Sequence, residues 1–401
     1  MNKIRLSVPL PVVLGMLAMT TSLSVDILLP AFSEISHYFN INIKYTEYII
    51  TSFLIGFTIG QLIFGPIVDH VGSKTILFKG VFCYLIINVL SILSEYYGFL
   101  LLMRLCQGVA ASAISVAINS YLREYFVKNE LSKIISLITQ IVTIGPLVGP
   151  SLGSILLLNY GWKSILSVNI CFSISCLLLM TLYLPIPKSS KPKQDLKPKI
   201  IYHNFKIILS DKTIVAYILI NSLSFAAMFG FISVSSNLYI NEFKIPVIYF
   251  GFVYSLNIIS LTVFSIINSK LVNKLSYHQM LQVGIMIQLL SVLYLLVTLY
   301  FSLSIVNIIF AIVLFNGCVP LINSNCMAGL LTKLPEIAGT ASSASGTIRF
   351  GLSSIFCLII SLLPFSNTNI IALMFTVSVT LIFFIYSITF LTNDFLVNDD
   401  R

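Results

Sequence analysis

Three ionisable side chains stand inside long apolar runs of this sequence: Asp26, Arg104 and Arg349. A charge at mid-bilayer costs about 3 kcal/mol or more unless it is paired or hydrated. Residues of this kind mark proton relays and ion paths. A carboxylate such as Asp26 keeps a low pKa beside a guanidinium and a raised one in a dry site, so alternating wet and dry surroundings let it carry a proton. Asp26 falls in the outer third of its run, and Arg104 lies about seven residues into its own, about 10 Å below the same surface at 1.5 Å per residue. The two are therefore placed to face one cavity. The plainer alternative is a static buried ion pair that ties their helices together. Arg349, near the middle of its run, has no acidic partner in the C-terminal half. It either binds an anionic substrate group or hydrogen-bonds to carbonyls and water. Glu47, at the mouth of a run, reads as a solvated helix-start residue.

Other chemistries lack their residues. His37, His70, His203 and His278 are scattered, with no H-E-x-x-H and no G-x-x-x-x-G-K-[ST]. No metal site, P-loop or catalytic cluster is expected. The 7 cysteines all fall in apolar runs and are odd in number, which suits packing residues better than disulfides.

Composition then says what must hold these charges. Hydrophobic residues make up 57% of the 401, charged residues 9%, and mean hydropathy is +0.99. A soluble chain is roughly 25% charged. This excludes a soluble enzyme, a disordered chain and a nucleic-acid binder, so lipid is the solvent for most of the molecule.

A spanning helix takes about 20 apolar residues. Twelve such runs are present, near 8–30, 46–67, 75–94, 97–120, 134–158, 164–184, 213–236, 247–268, 279–300, 304–326, 338–363 and 369–391. They are continuous rather than alternating, which argues for helices over a barrel. The first is too long for a signal-peptide core and reads as a retained span. With the N-terminus cytoplasmic, 18 Lys and Arg fall inside, and only Lys44, Lys163 and Lys244 outside. The positive-inside rule thus places both termini in the cytoplasm, and the net charge of +9 reads as a topology signal.

A Lys- and Pro-rich stretch, 185–212, divides the chain into six-span halves, 1–184 and 213–401, and reads as a cytoplasmic linker. The halves echo each other. Gly65-Pro-Ile-Val-Asp69-His-Val-Gly72 follows span 2, and Ser269-Lys-Leu-Val-Asn273-Lys-Leu-Ser276 follows span 8 at an offset of 204. Two six-span halves with a degenerate repeat match a large transporter architecture.

Two local patterns qualify this picture. In span 5, Gly145, Gly149 and Gly153 recur on one helix face, with Pro146 and Pro150 between them. Such a face admits close helix approach and the prolines bend the helix, giving either a deformable contact between the halves or ordinary packing. In the turn between spans 2 and 3, Gly65 and Gly72 permit a tight bend. Asp69, with Lys74 nearby, is placed to hold the positive end of a neighbouring helix, a latch for the cytoplasmic side. Gln140, Asn221, Phe225, Tyr254, Asn257, Asn316 and Asn323 are polar or aromatic spots suited to an apolar substrate cavity, where each also suits a helix–helix contact.

Together these motifs resemble the major facilitator superfamily over nearly the whole chain. Gly65 to Lys74 is similar to its loop motif, and Arg104-Leu-Cys-Gln107-Gly108 to its span 4 motif R-x-x-Q-G. Gly145 to Gly153 resembles the antiporter motif, and Ser24-Val-Asp26-Ile-Leu-Leu-Pro30-Ala the span 1 signature of twelve-span drug/proton antiporters. The nearest likeness is to the Bcr/CflA bacterial multidrug exporters. His70 and Ser73 stand where the loop motif usually has basic residues, and Ser151 and Leu152 precede Gly153 where the antiporter motif often ends in paired glycines.

The resemblance implies an all-α membrane protein of two six-helix bundles in the bacterial inner membrane, expelling small amphipathic drugs or metabolites as protons enter. It implies proton coupling by Asp26 and Arg104, a gate at Gly65, Asp69, Gly72 and Lys74, and export favoured by the Gly145–Gly153 stripe. The expected partners are protons, a small-molecule substrate and lipid, with no nucleic acid. No cofactor is expected beyond the proton gradient, and the chain is expected to be monomeric. The same fold working as a proton symporter for a nutrient is the competing reading.

Overall fold

A computed structural model of the chain describes residues 9–126, 128–184, 206–272, 274–334 and 337–391. The described residues form twelve helices long and apolar enough to cross a membrane. Spans 1 to 6 are Leu10–Tyr38, Ile43–Val68, Ser73–Ile92, Tyr97–Leu122, Leu137–Tyr160 and Trp162–Tyr183. Spans 7 to 12 are Lys212–Glu242, Val247–Leu271, Tyr277–Tyr300, Ile305–Lys333, Thr340–Leu362 and Asn367–Phe390.

The spans gather into two compact units. One comprises Met1–Asp195 with Ile245–Phe252, and the other Leu196–Lys244 with Val253–Arg401. Most of the expected linker, 185–205, and both chain ends lie outside the described residues.

Several spans outrun their apolar cores. Span 1 continues to Tyr38 and span 10 to Lys333, past the expected ends at 30 and 326. Hydropathy marks the hydrocarbon layer, whereas a helix persists beyond it wherever polar residues still favour helix. Glu34 and Lys333 hide these extensions from a hydropathy reading.

Three spans break inside, and proline accompanies each break. Span 1 is helical over Pro9–Asp26, turns through a 3-10 segment at Leu29–Ala31 with Pro30 at its centre, and resumes over Phe32–Tyr38. Span 5 is interrupted between Val142 and Ile144, ahead of Pro146. Span 10 is interrupted at Cys318, two residues before Pro320. A ring without an N–H removes a ladder bond and crowds the preceding turn, which is why the interruptions sit there.

The echo between the halves extends to their turns. Gly72 ends one helix and starts the next with φ +95°, a conformation that favours glycine. Its equivalent, Ser276, starts span 9 with a capping box instead: its hydroxyl accepts from the Gln279 amide, and Gln279 accepts from the Ser276 amide.

Candidate functional site

In the first unit, the site is built where spans 2 and 4 almost touch. A Cβ on Gly108 would strike the Phe53 carbonyl and stand 2.7 Å from the Phe57 nitrogen. On the facing helix, a Cβ on Gly56 would strike the Leu105 carbonyl. Backbone-to-backbone approach at both points fixes what lies one turn away. The Phe53 ring lies 5.0 Å from the guanidinium carbon of Arg104, a cation–π contact.

Arg104 is fully buried. Its Nη1 donates to Ser24 Oγ at 3.1 Å and to Gln107 Oε1 at 2.7 Å, and its Nη2 donates to the Ser24 carbonyl at 3.3 Å. Gln107 in turn donates to Asn88 Oδ1 at 3.1 Å and to Ser91 Oγ at 3.0 Å. A polar relay thus runs from span 1 through span 4 to span 3. It gives the R-x-x-Q-G motif a physical reading: Arg and Gln one turn apart share one face, and the glycine lets span 2 close in.

The bonds that join Arg104 to span 1 end on Ser24, two residues before Asp26. Asp26 is itself 4% exposed and is the last residue of the first helical segment of its span. Both charges therefore lie inside the bundle, on contacting helices, and not against lipid.

The glycine face of span 5 meets span 1 around this same point. A Cβ on Gly145 would stand 2.8 Å from Met19, one on Gly149 would stand 3.5 Å from the Ile27 nitrogen, and one on Gly153 would strike the Ile27 carbonyl. The three glycines therefore pack within one unit, against the interruption that follows Asp26. Of the two readings of this face, the contact seen here is helix packing within one unit.

At the turn between spans 2 and 3, Ser73 Oγ donates to Glu124 at the end of span 4, at 2.8 Å. Lys74 Nζ donates to the Leu184 carbonyl at the end of span 6, at 2.7 Å. The turn is thus tied to two other helix ends. The side chain of Asp69 lies outside the described residues. Gly65 sits inside the span 2 helix, one residue before Pro66.

The second unit holds the other buried charge. Arg349 Nη1 donates to Asn323 Oδ1 of span 10 at 3.1 Å. Its guanidinium lies 4.5 Å from the Phe225 ring centre and 5.2 Å from that of Phe350. The other expected cavity residues scatter. Asn316 donates to Asn257 at 3.1 Å, and Asn257 donates to the Tyr254 carbonyl at 3.3 Å. The buried Asn221 amide finds no partner among the described residues. Gln140 is exposed in the first unit. Glu47, expected to be solvated, is 1% exposed.

Sequence reasoning missed Asn88 and Ser91, and named Ser24 only as part of the span 1 signature. Asn88 and Ser91 stand three apart on span 3, so they share a polar face in an apolar run, which was their one visible signal. Among the described residues, no group of three or more metal-ligating side chains is found.

Comparison with known proteins places this geometry in context. Residues 14–357 match the family model described as Major Facilitator Superfamily. The chain is 30% identical over 384 residues to a bicyclomycin resistance protein homolog of Haemophilus influenzae, covering 95% of each. It is 24% identical over 297 residues to the chloramphenicol resistance protein CraA of Acinetobacter baumannii, covering 74% of this chain and 71% of that one. Its fold matches the crystal structure of a D-xylose–proton symporter with TM-score 0.73 at 15% identity, over 94% of this chain and 96% of that one.

Proposed function

The chain belongs to the Major Facilitator Superfamily, and from that premise we propose that it exports small amphipathic drugs or metabolites in exchange for protons. Membership makes it a multi-pass membrane transporter and not an enzyme. The observation that carries the export reading is the likeness to the bicyclomycin resistance protein homolog over 95% of both chains. The fold does not choose the direction, since a D-xylose–proton symporter shares it.

The geometry supports the coupling half of the proposal. Asp26 is a buried carboxylate at a helix interruption, on the same helix as the Ser24 that anchors Arg104. A carboxylate whose access to water changes between states exchanges its proton between them. The glycine face of span 5 lets that helix pack closely on the backbone of the segment beside Asp26. In an alternating-access cycle, Asp26 without its proton accompanies drug uptake from the cytoplasmic side, and a proton arriving from outside accompanies release.

One charge crossing 100 mV supplies about 2.3 kcal/mol. A pH unit supplies about 1.4 kcal/mol more. Together these sustain a gradient of a few hundredfold for a neutral substrate at one proton per cycle. The Lys and Arg distribution supports cytoplasmic termini, and the bacterial relatives support a bacterial inner membrane.

The test is a susceptibility and accumulation panel in a pump-deleted bacterial host. Wild type should lower drug accumulation and raise resistance, and Asp26→Asn should raise accumulation to the level of the empty host. Unchanged accumulation in the variant overturns proton coupling through Asp26. Substrate uptake driven by an inward proton gradient would replace export with symport.

A further inference from the structure

The two buried arginines differ in how many hydrogen bonds their terminal nitrogens make. Arg104 donates to Ser24 and Gln107 through three hydrogen bonds. Arg349 carries five N–H donors like any arginine. Among the described residues, its one side-chain hydrogen bond goes to the neutral Asn323. Its Nε, like that of Arg104, is buried without a partner. Two rings, Phe225 and Phe350, lie at cation–π distance and hold the guanidinium without using its donors. Phe229 closes the cluster, 4.8 Å from Phe225 and 6.1 Å from Phe350, ring centre to ring centre.

Position adds a second observation. Arg349 lies near the middle of span 11 and remains partly exposed. A charge at that depth faces a bundle interior or a water-filled space and not lipid. On its own helix face the residues three and four before it are the small Gly346 and Ser345, and three and four after it are Leu352 and Ser353.

We propose that Arg349 with Phe225, Phe229 and Phe350 forms the recognition site for an aromatic carboxylate: the acid group takes the unused guanidinium edge, and the ring lies against the phenylalanines. A planar fork of donors matches a carboxylate bidentately. This rests on the transporter reading and narrows its substrates to molecules bearing an aromatic acid.

The experiment measures binding of 2-naphthoate, its neutral amide 2-naphthamide and inorganic phosphate to the full-length protein in detergent, without a proton gradient. Wild type should bind the acid about tenfold tighter than the amide, the preference expected of a charge-assisted bidentate contact. Phosphate should bind far more weakly than the naphthoate. Arg349→Gln should bring acid and amide to equal affinity. Arg349→Lys should keep only part of the preference, since it keeps charge but loses the fork. Phe225→Leu should weaken both aromatic compounds and leave phosphate unchanged.

Equal affinity for acid and amide in wild type overturns the proposal and needs no variant to fold. So does an acid preference that survives Arg349→Gln, or phosphate binding as tight as naphthoate. Export of both compounds in cells, compared with Asp26→Asn, is read separately. Loss of export with the acid preference intact removes the exporter reading and leaves Arg349 as the acid-binding group.

Discussion

The carboxylate of Glu34 accepts a hydrogen bond from the backbone amide of Trp162, 128 positions away, at 3.2 Å. Glu34 belongs to the last helical segment of span 1, and Trp162 opens span 6. Gly161, with φ +77°, makes room: a Cβ there would stand 3.1 Å from the same Glu34 oxygen. The second unit repeats the device. Glu242, at the end of span 7, accepts from the amides of Asn367 at 2.8 Å and Thr368 at 3.3 Å, and from the Thr368 hydroxyl, at the start of span 12. In each half, the end of the first helix caps the beginning of the last, where free amides and the helix dipole favour negative charge.

Removing either carboxylate should therefore loosen one half. Glu34→Gln keeps an acceptor and should cost well under 1 kcal/mol, and Glu34→Ala about 1 kcal/mol, as for other N-terminal caps. Glu242→Ala should cost more than Glu34→Ala, because three donors lose their acceptor. Thermal melting of the purified variants in detergent, with the order wild type, Glu34→Ala, Glu242→Ala, checks this.

Gly108 should tolerate no side chain. Gly108→Ala forces spans 2 and 4 apart against backbone atoms, and overpacking of this kind costs about 1–3 kcal/mol. Gly98→Ala in the same helix is the control, since a Cβ there meets nothing within 4 Å. Gly98→Ala should melt at or slightly above the wild-type temperature, and Gly108→Ala several degrees below it. Equal melting of the two variants would refute the close approach.

Lys74 holds the last carbonyl of span 6. Lys74→Met should free that end while leaving the turn's glycine geometry intact. Hydrogen exchange by mass spectrometry should show faster exchange in the peptide ending at Leu184, and no change at the Trp162 end of the same helix.

Asp211 makes acid sensitivity predictable at one helix start. Burial favours its neutral form, but the Ile214 and Thr213 amides and the Lys333 ammonium at 3.6 Å outweigh this and hold its carboxyl below the usual value. A carboxyl lowered on folding contributes stability above its unfolded pKa of about 3.9 and loses it as pH falls through the folded value. At neutral pH, Asp211→Ala should cost about 1 kcal/mol for the lost cap. The exposed ion pair adds little to that. The gap between the two melting curves should close as pH drops below about 4. A gap that stays constant down to pH 3 would remove the charged carboxylate as its source.

Much of this was legible in the residues. Span number and type followed from apolar runs, because the hydrocarbon layer imposes one length on every helix. Arg104, Gln107 and Gly108 were legible as a motif, but the reason for Gly108 needed the facing Phe53 carbonyl. Asn88 and Ser91, and the role of Ser24, went unseen because a serine or asparagine in a span has the same sequence context whether or not it meets a distant guanidinium. Glu34 and Glu242 were hidden for a related reason: nothing local distinguishes a carboxylate near a helix end from one that caps a helix more than 100 residues away. Interruptions at Pro30, Pro146 and Pro320 were half visible, since proline marks a weak point but not how far the chain departs there.

The turn that follows Asp26 leaves span 1 as two rods joined at a pivot. The longer rod carries the acid, and the shorter carries Glu34, which grips the first residue of span 6. Any swing at the pivot therefore pulls on span 6 at one extremity, while Lys74 tethers it at the other. In the proposed cycle, a change at Asp26 would thus reach span 6 through a linkage that is already in place.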